Sequence, residues 1–232
     1  MQSYTVRVFQ ALVVLIVAFG YDSAIFAQSS DHCGTEATLR YNLARAKSGL
    51  SIEAAPLMQS SIVSPSGKFK ILFDTSGQNV TTKSYVDSVA KFADEAYLLE
   101  IDTLGYKQPP FSYDDNMWYI YLVDKGSSGI YGVTIQATQS PFGESASGLP
   151  LFKSYIQIDN DFPDSVFKTH GIDGARITVF HEFHHVIQFG SLGLGTLTSD
   201  VNFREMTSVW LEMRSTPWVK DYLQYVPKYL KN

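Results

Sequence analysis

The chain has 232 residues, of which 45% are hydrophobic and 18% charged, a composition typical of a folded domain and not of a disordered tail. Its 18 basic and 23 acidic side chains give a formal net charge of −5, and since the basic residues form no stripe we expect no nucleic-acid partner. The single cysteine, Cys33, excludes an internal disulfide and the cysteine clusters of zinc fingers.

Residues 1–27 have the pattern of a signal peptide. Arg7 supplies a positive charge, an apolar run follows at residues 11–19, and small residues precede Gln28. The run is too short to cross a bilayer as a helix, so we expect export to the cell surface or medium and no permanent membrane span, with an uncleaved anchor as the alternative. Cleavage would leave Cys33 near the new terminus, as a free or externally paired thiol.

The rest of the chain predicts an α+β domain. We divide it into a leader or pro-like segment, residues 28–60, and a domain covering residues 61–232. Alternating apolar residues predict a strand at residues 68–73. Aromatic and β-branched residues predict another at residues 118–123, and residues 130–138 and 154–158 are two further candidates. Apolar residues three and four apart predict helices at residues 84–103, 173–189, 203–214 and 219–230. Loops rich in Gly and Ser separate them at residues 140–150 and 191–200, and we expect a mostly N-terminal sheet followed by a helical lobe.

The helix predicted at residues 173–189, with Asp173 as its N-cap and Gly190 as its stop, contains the motif of chemical interest. His181, Glu182 and His185 form an H-E-x-x-H sequence. Residues four apart lie one above the other on a helix, so the two imidazoles can hold one metal ion. Glu182 lies about 100° around the helix from His181, where it can reach a water on that ion. His184, between the two ligands, is expected to flank the site and not to bind the metal.

Catalytic zinc usually has three protein ligands, and no histidine follows His185. The third ligand must therefore be a carboxylate. Glu205 is preferred because it opens a predicted helix, nineteen residues separate it from His185, and the loop between them lets that helix fold back. Glu212, two turns further on, and Asp200, on the loop, are the alternatives.

This spacing resembles the ligand pattern of the gluzincins, the thermolysin-like metallopeptidases. Several blocks also resemble a family of exported bacterial metalloproteases: residues 64–69, 102–106, 155–162, 178–188 and 205–212. The resemblance covers most of the chain after residue 60 and implies a zincin-like fold with Glu205 as a ligand. Met206 and Ser208 replace smaller residues of that family, and Val209 stands where thermolysin has an Asp that supports a ligand histidine. Family members are longer, so we expect the domain to be truncated at its C-terminus.

The function that follows is a secreted zinc peptidase acting on a protein or peptide substrate. Zn²⁺ would polarise the scissile carbonyl and a water, and Glu182 would act as the general base. Residues 154–158 or 130–138 would pair with the extended substrate, and Tyr222, Tyr225 and Tyr229 are candidates for stabilising the oxyanion. The alternative is a secreted zinc-binding adhesion or interaction module whose site is structural or decayed; such a closed site would have a fourth protein ligand. The sequence leaves the oligomeric state open.

Overall fold

The computed structural model describes residues 33–193 and 201–220, which contain seven strands and four α-helices. The strands are β1 Ser60–Val63, β2 Phe69–Phe73, β3 Trp118–Leu122, β4 Gly132–Gln136, β5 Gly143–Glu144, β6 Pro150–Leu151 and β7 Ser154–Ile158. The helices are α1 Thr35–Lys47, α2 Lys83–Tyr97, α3 Gly171–Ile187 and α4 Val201–Ser215. The predicted α+β class is confirmed.

Five strands form one mixed sheet in the order β1-β2-β3-β7-β4, and β5 with β6 forms a separate hairpin. Strands β2, β3 and β7 are parallel, whereas β1 and β4 run antiparallel to their neighbours. Strand β4 is therefore an edge strand, and its pairing with β7 places Gly132 opposite Ile158. The edge position of β4 matters because its outer side faces the segment that begins at Cys33.

The two faces of the sheet bury different sets of side chains, as expected for the period of two in a strand. Ile120, Leu122, Ile156 and Ile158 point to the face covered by α2 and α3, where the main core lies. Tyr121, Val133, Ile135 and Tyr155 point to the other face and pack in a smaller cluster with partly buried aromatic residues. Helix α3, which carries the H-E-x-x-H motif, therefore packs on the main core.

The four predicted strands are present, with bounds within two residues of the pattern. The sequence analysis missed α1, β1 and the short β5–β6 hairpin, the last inside a predicted loop. Helix α1 was missed because its apolar stripe is narrow: Thr35, Leu39 and Asn42 are its buried residues. Such a stripe gives a weak helical period.

The ends of α3 differ from the prediction. The helix begins at Gly171 with His170 as its N-cap, not at Asp173, which lies in the first turn. It continues past Gly190 as a π-helical turn, Gln188–Leu192, and ends at Gly193, whose φ of 85° suits glycine. Gly190 is small for a packing reason, because an added Cβ would lie 2.3 Å from Pro110 Cδ.

None of the helices in the described part of the chain is both long and apolar enough to cross a membrane. The predicted signal peptide, residues 1–27, lies outside the described residues. The same holds for Asp200, for Tyr222, Tyr225 and Tyr229, and for all but two residues of the helix predicted at 219–230.

Candidate metal centre

The two histidines of the motif face each other on α3. His181 and His185 are 3% and 0% exposed, and their Nε2 atoms are 3.1 Å apart. Two imidazoles four residues apart on an α-helix can bring the same ring nitrogen to one point. Their convergence therefore follows from the helix that the sequence predicted.

Glu205 brings a carboxylate to the same point from α4. Its Oε2 is 3.4 Å from His181 Nε2, and its Oε1 is 3.3 Å from His185 Nε2. Helix α4 packs along α3, so the fold-back predicted across residues 191–200 brings the first turn of α4 to the histidines. Of the three carboxylates considered for this position, the structure places Glu205 beside both Nε2 atoms, and Asp200 is not among the described residues.

Cys33 is a fourth donor that the sequence analysis did not anticipate. Its Sγ is 3.5 Å from His185 Nε2, and donor atoms of Cys33, His181, His185 and Glu205 all lie within 4.8 Å of one another. The thiol is held there because Cys33 forms a parallel bridge with Gly132 at the outer side of β4. The sequence carried no local signal for this contact, since 152 residues separate Cys33 from His185.

The far sides of both imidazoles are hydrogen-bonded. His181 Nδ1 donates to Glu212 Oε1 at 2.5 Å, so Glu212 lies behind the imidazole and not at the converging atoms. His185 Nδ1 lies 2.8 Å from Gln188 Oε1, while Gln188 Nε2 donates to the carbonyl of Arg204. Because the amide nitrogen is used there, Gln188 Oε1 must be the acceptor and His185 Nδ1 the donor. This leaves the Nε2 lone pair of His185 free for a metal.

Glu212 supplies the support that Val209 lacks. The resemblance to the gluzincins placed Val209 where thermolysin has an Asp supporting a ligand histidine. Here Glu212, one turn further along α4 and 4% exposed, hydrogen-bonds instead to His181, a candidate ligand. A carboxylate behind an imidazole fixes the tautomer and raises the basicity of the nitrogen that faces the metal.

The charges of the site are mutually dependent. Burial alone would raise the pKa of Glu205, but the neighbouring His185 and His181 outweigh it and lower that pKa. Burial would lower the pKa values of both histidines, yet Cys33 and Glu205 raise them. Burial, with Glu182 and Glu205, raises the pKa of the Cys33 thiol. Because metal ligands must be deprotonated, a cation bound by these donors would compete with protons.

Glu182 is fixed beside the cluster by two hydroxyl groups. Thr35 Oγ1 and Thr134 Oγ1 donate to its Oε2 at 2.9 and 2.8 Å. Its other oxygen, Oε1, is buried and has no hydrogen-bond partner within the described part of the chain. Helix α3 and β4 meet closely here, because Gly132 leaves room for the Glu182 side chain. One carboxylate oxygen is thus anchored and the other is available.

His184 points away from the cluster. Its Nδ1 lies 3.0 Å from Glu100 Oε2, and its ring meets Tyr106 edge-on. Burial, with the neighbouring His185 and His181, lowers the pKa of His184 to about 3, and burial raises the pKa of Glu100. Both shifts favour the neutral forms of this buried pair. This pair anchors α3 on the π-helical turn Leu98–Thr103.

The structure distinguishes between the two strands that were considered for pairing with a substrate, because one is internal to the sheet and the other is at its edge. Strand β7, at residues 154–158, has β3 on one side and β4 on the other, so it has no edge to offer and that alternative was wrong. Strand β4, within residues 130–138, is the edge strand beside the motif helix.

Comparison of the chain with protein-family models, with curated proteins and with solved structures finds no match in any of the three.

Proposed function

We propose that the protein is a secreted zinc-dependent peptidase of the zincin type, with His181, His185 and Glu205 as metal ligands and Glu182 as general base. The observation that carries the proposal is the convergence of two imidazole nitrogens and a carboxylate next to a second, hydroxyl-anchored carboxylate. The resemblance of the motif spacing to the gluzincins supports the same function. Export is proposed from the pattern of residues 1–27.

The donor distances fit zinc. For a tetrahedral ion with bonds of about 2.0–2.3 Å, neighbouring ligand atoms lie roughly 3.3–3.8 Å apart. The distances from Glu205 to the two histidines, 3.4 and 3.3 Å, are within this range, and the two histidine nitrogens, 3.1 Å apart, are slightly closer than it. The mixture of imidazole, carboxylate and thiol donors suits zinc better than magnesium or calcium, which prefer oxygen ligands.

Zinc bound there would supply a Lewis acid and lower the pKa of water at the site. The protein's own groups handle the proton. Thr134 on β4 holds Glu182 Oε2, so its free Oε1 can accept a proton from the attacking water and return it to the leaving nitrogen. The edge of β4 offers main-chain groups to an extended peptide, which is the expected substrate.

The second candidate is a closed structural zinc site in an adhesion or interaction module. It is favoured by Cys33, because a fourth protein ligand is what distinguishes a structural zinc site from a catalytic one. A glutamate that is held by Thr134 on β4 and keeps one buried oxygen unpaired within the described residues serves no purpose in such a site, and this favours the peptidase.

The test is the Glu182→Gln variant of the full chain, which keeps the shape of the side chain and removes the base. Zinc content is measured by elemental analysis and hydrolysis with labelled casein, both with Cys33 in place and with Cys33→Ser. We expect about one zinc per chain throughout and loss of hydrolysis wherever Glu182 is replaced. Glu144→Gln, at an exposed carboxylate of β5, is the matched control. Zinc binding without hydrolysis in either background with Glu182 intact, and also after proteolytic release of the segment that carries Cys33, would favour the structural site.

A further inference from the structure

The four residues from Cys33 to Glu36 contact every functional part of the site. Cys33 Sγ is among the metal donors, and the Gly34 N–H donates to the Gly132 carbonyl at 2.9 Å, on the substrate edge of β4. Thr35 Oγ1 donates to Glu182 and accepts from the Thr134 N–H at 2.8 Å. One short segment thus occupies the ligand position and the strand edge and hydrogen-bonds to the general base. When the segment leaves, Thr134 on β4 still holds Glu182 Oε2.

An ion pair fixes the end of this segment next to the third ligand. Glu36 Oε1 accepts from Arg204 Nε at 2.7 Å, and Arg204 directly precedes Glu205. The two side chains are 12% and 6% exposed. Removing one partner of a buried ion pair leaves the other charge uncompensated and is costly, so this pair holds α1 against α4.

We propose that residues 33–47 are an inhibitory pro-segment whose Cys33 thiolate is a displaceable fourth ligand of the zinc ion. The inference rests on the proposed function, since a segment can inhibit only a site that is otherwise open. When zinc binds, the Cys33 thiol loses its proton to solvent and the thiolate takes the position that a water needs. Gly34 meanwhile takes the strand edge that an extended substrate would use.

The segment is separable from the main core. No residue between 33 and 59 belongs to the large buried cluster between the sheet and helices α2 and α3. Leu39 packs instead in a small cluster with Phe152 and Phe189. Removing α1 would expose this cluster and leave the main core intact, as a removable segment requires.

The connection after α1 is a suitable place for cleavage. Residues 50–58, between α1 and β1, form no helix or strand, and Leu50 and Leu57 are 52% and 98% exposed. Proteases cut exposed, irregular segments of this kind. Hydrolysis of one peptide bond here, with consumption of one water, would free residues 33–47 to leave the site.

The test combines spectroscopy with controlled cleavage of the full chain. Zinc is replaced by cobalt(II), and thiolate-to-cobalt charge-transfer absorption is recorded for the wild type and for Cys33→Ser. A recognition sequence for a site-specific protease is inserted within residues 50–58, and the uncut insertion variant is the matched control. Labelled casein reports hydrolysis before and after cutting.

We expect the absorption band in the wild type and in the uncut insertion variant, and its loss in Cys33→Ser and after cutting. Casein hydrolysis should rise about tenfold or more on cutting, because the competent fraction of the protein increases. A metal-loaded wild type without the band, or a cut protein no more active than the uncut one while both hydrolyse casein, would overturn the pro-segment and leave the peptidase intact. A band with no hydrolysis in any form would overturn both and assign a structural site.

Discussion

At the residue scale, the geometry of the site depends on the hydrogen bonds that orient the two histidines through their Nδ1 atoms. His181 is fixed by Glu212, and His185 by Gln188, whose amide is in turn fixed by the carbonyl of Arg204. A ligand that touches the metal and a residue that orients a ligand contribute differently to affinity. Glu205 and Glu212, on the same helix α4, are therefore a matched pair for testing which of the two binds the metal and which orients a ligand.

We expect Glu205→Ala to weaken zinc binding more than Glu212→Gln. Loss of Glu205 removes a donor, whereas Glu212→Gln keeps a hydrogen-bond acceptor behind His181 and should cost roughly 10–100-fold in affinity. Competition titration against a chromophoric chelator gives both values, and circular dichroism checks that the variants are folded. The reverse ranking would identify Glu212 as the metal ligand.

At the element scale, strand β4 and helix α3 approach each other unusually closely at Gly132. A Cβ added there would lie 2.5 Å from Thr178 Cγ2 and 2.8 Å from Glu182 Cγ. Both of those side chains belong to α3, so the helix would have to move away from the strand. Glu182, the proposed general base, is on the side of α3 that would move.

Gly132→Ala should therefore destabilise the fold by about 1–3 kcal/mol, the usual cost of overpacking. Urea denaturation measures this as a lower midpoint with an unchanged slope. Gly143→Ala is the control, because a Cβ at Gly143 meets no atom within 4 Å among the described residues, and its effect should be small. Equal midpoints for the two variants would show that the space between α3 and β4 accommodates a Cβ at residue 132.

The same elements show what a sequence can predict. Strand β2 alternates along its length, helix α2 has a strong period of three and four, and β3 is rich in aromatic and β-branched residues, all of which are local properties of the chain. The edge pairing of Cys33 with Gly132 joins distant segments, and the narrow stripe of α1 gives little period, so neither could be predicted. For the same reason the motif pair His181 and His185 was evident, while Cys33 beside them was not.

At the scale of the whole molecule, the donor cluster joins three distant parts of the chain. Cys33 precedes α1, the histidines lie on α3, and Glu205 lies on α4. An unfolded chain does not hold these donors together, so a metal ion bound to them favours the folded state. Stability and metal content should therefore change together.

Removal of zinc with EDTA should lower the melting temperature. Zinc at 100 times its dissociation constant adds about 2.7 kcal/mol to the free energy of unfolding. For a chain of this size each kcal/mol corresponds to about 2–4 °C, so we expect a decrease of roughly 5–10 °C by differential scanning calorimetry. Zinc added in excess of EDTA should restore the transition, and magnesium should not, because imidazole and thiol donors bind it poorly. His181→Ala, which lacks a ligand, should melt at nearly the same temperature with and without EDTA. A comparable decrease in that variant would mean that the chelator removes a metal bound elsewhere in the protein.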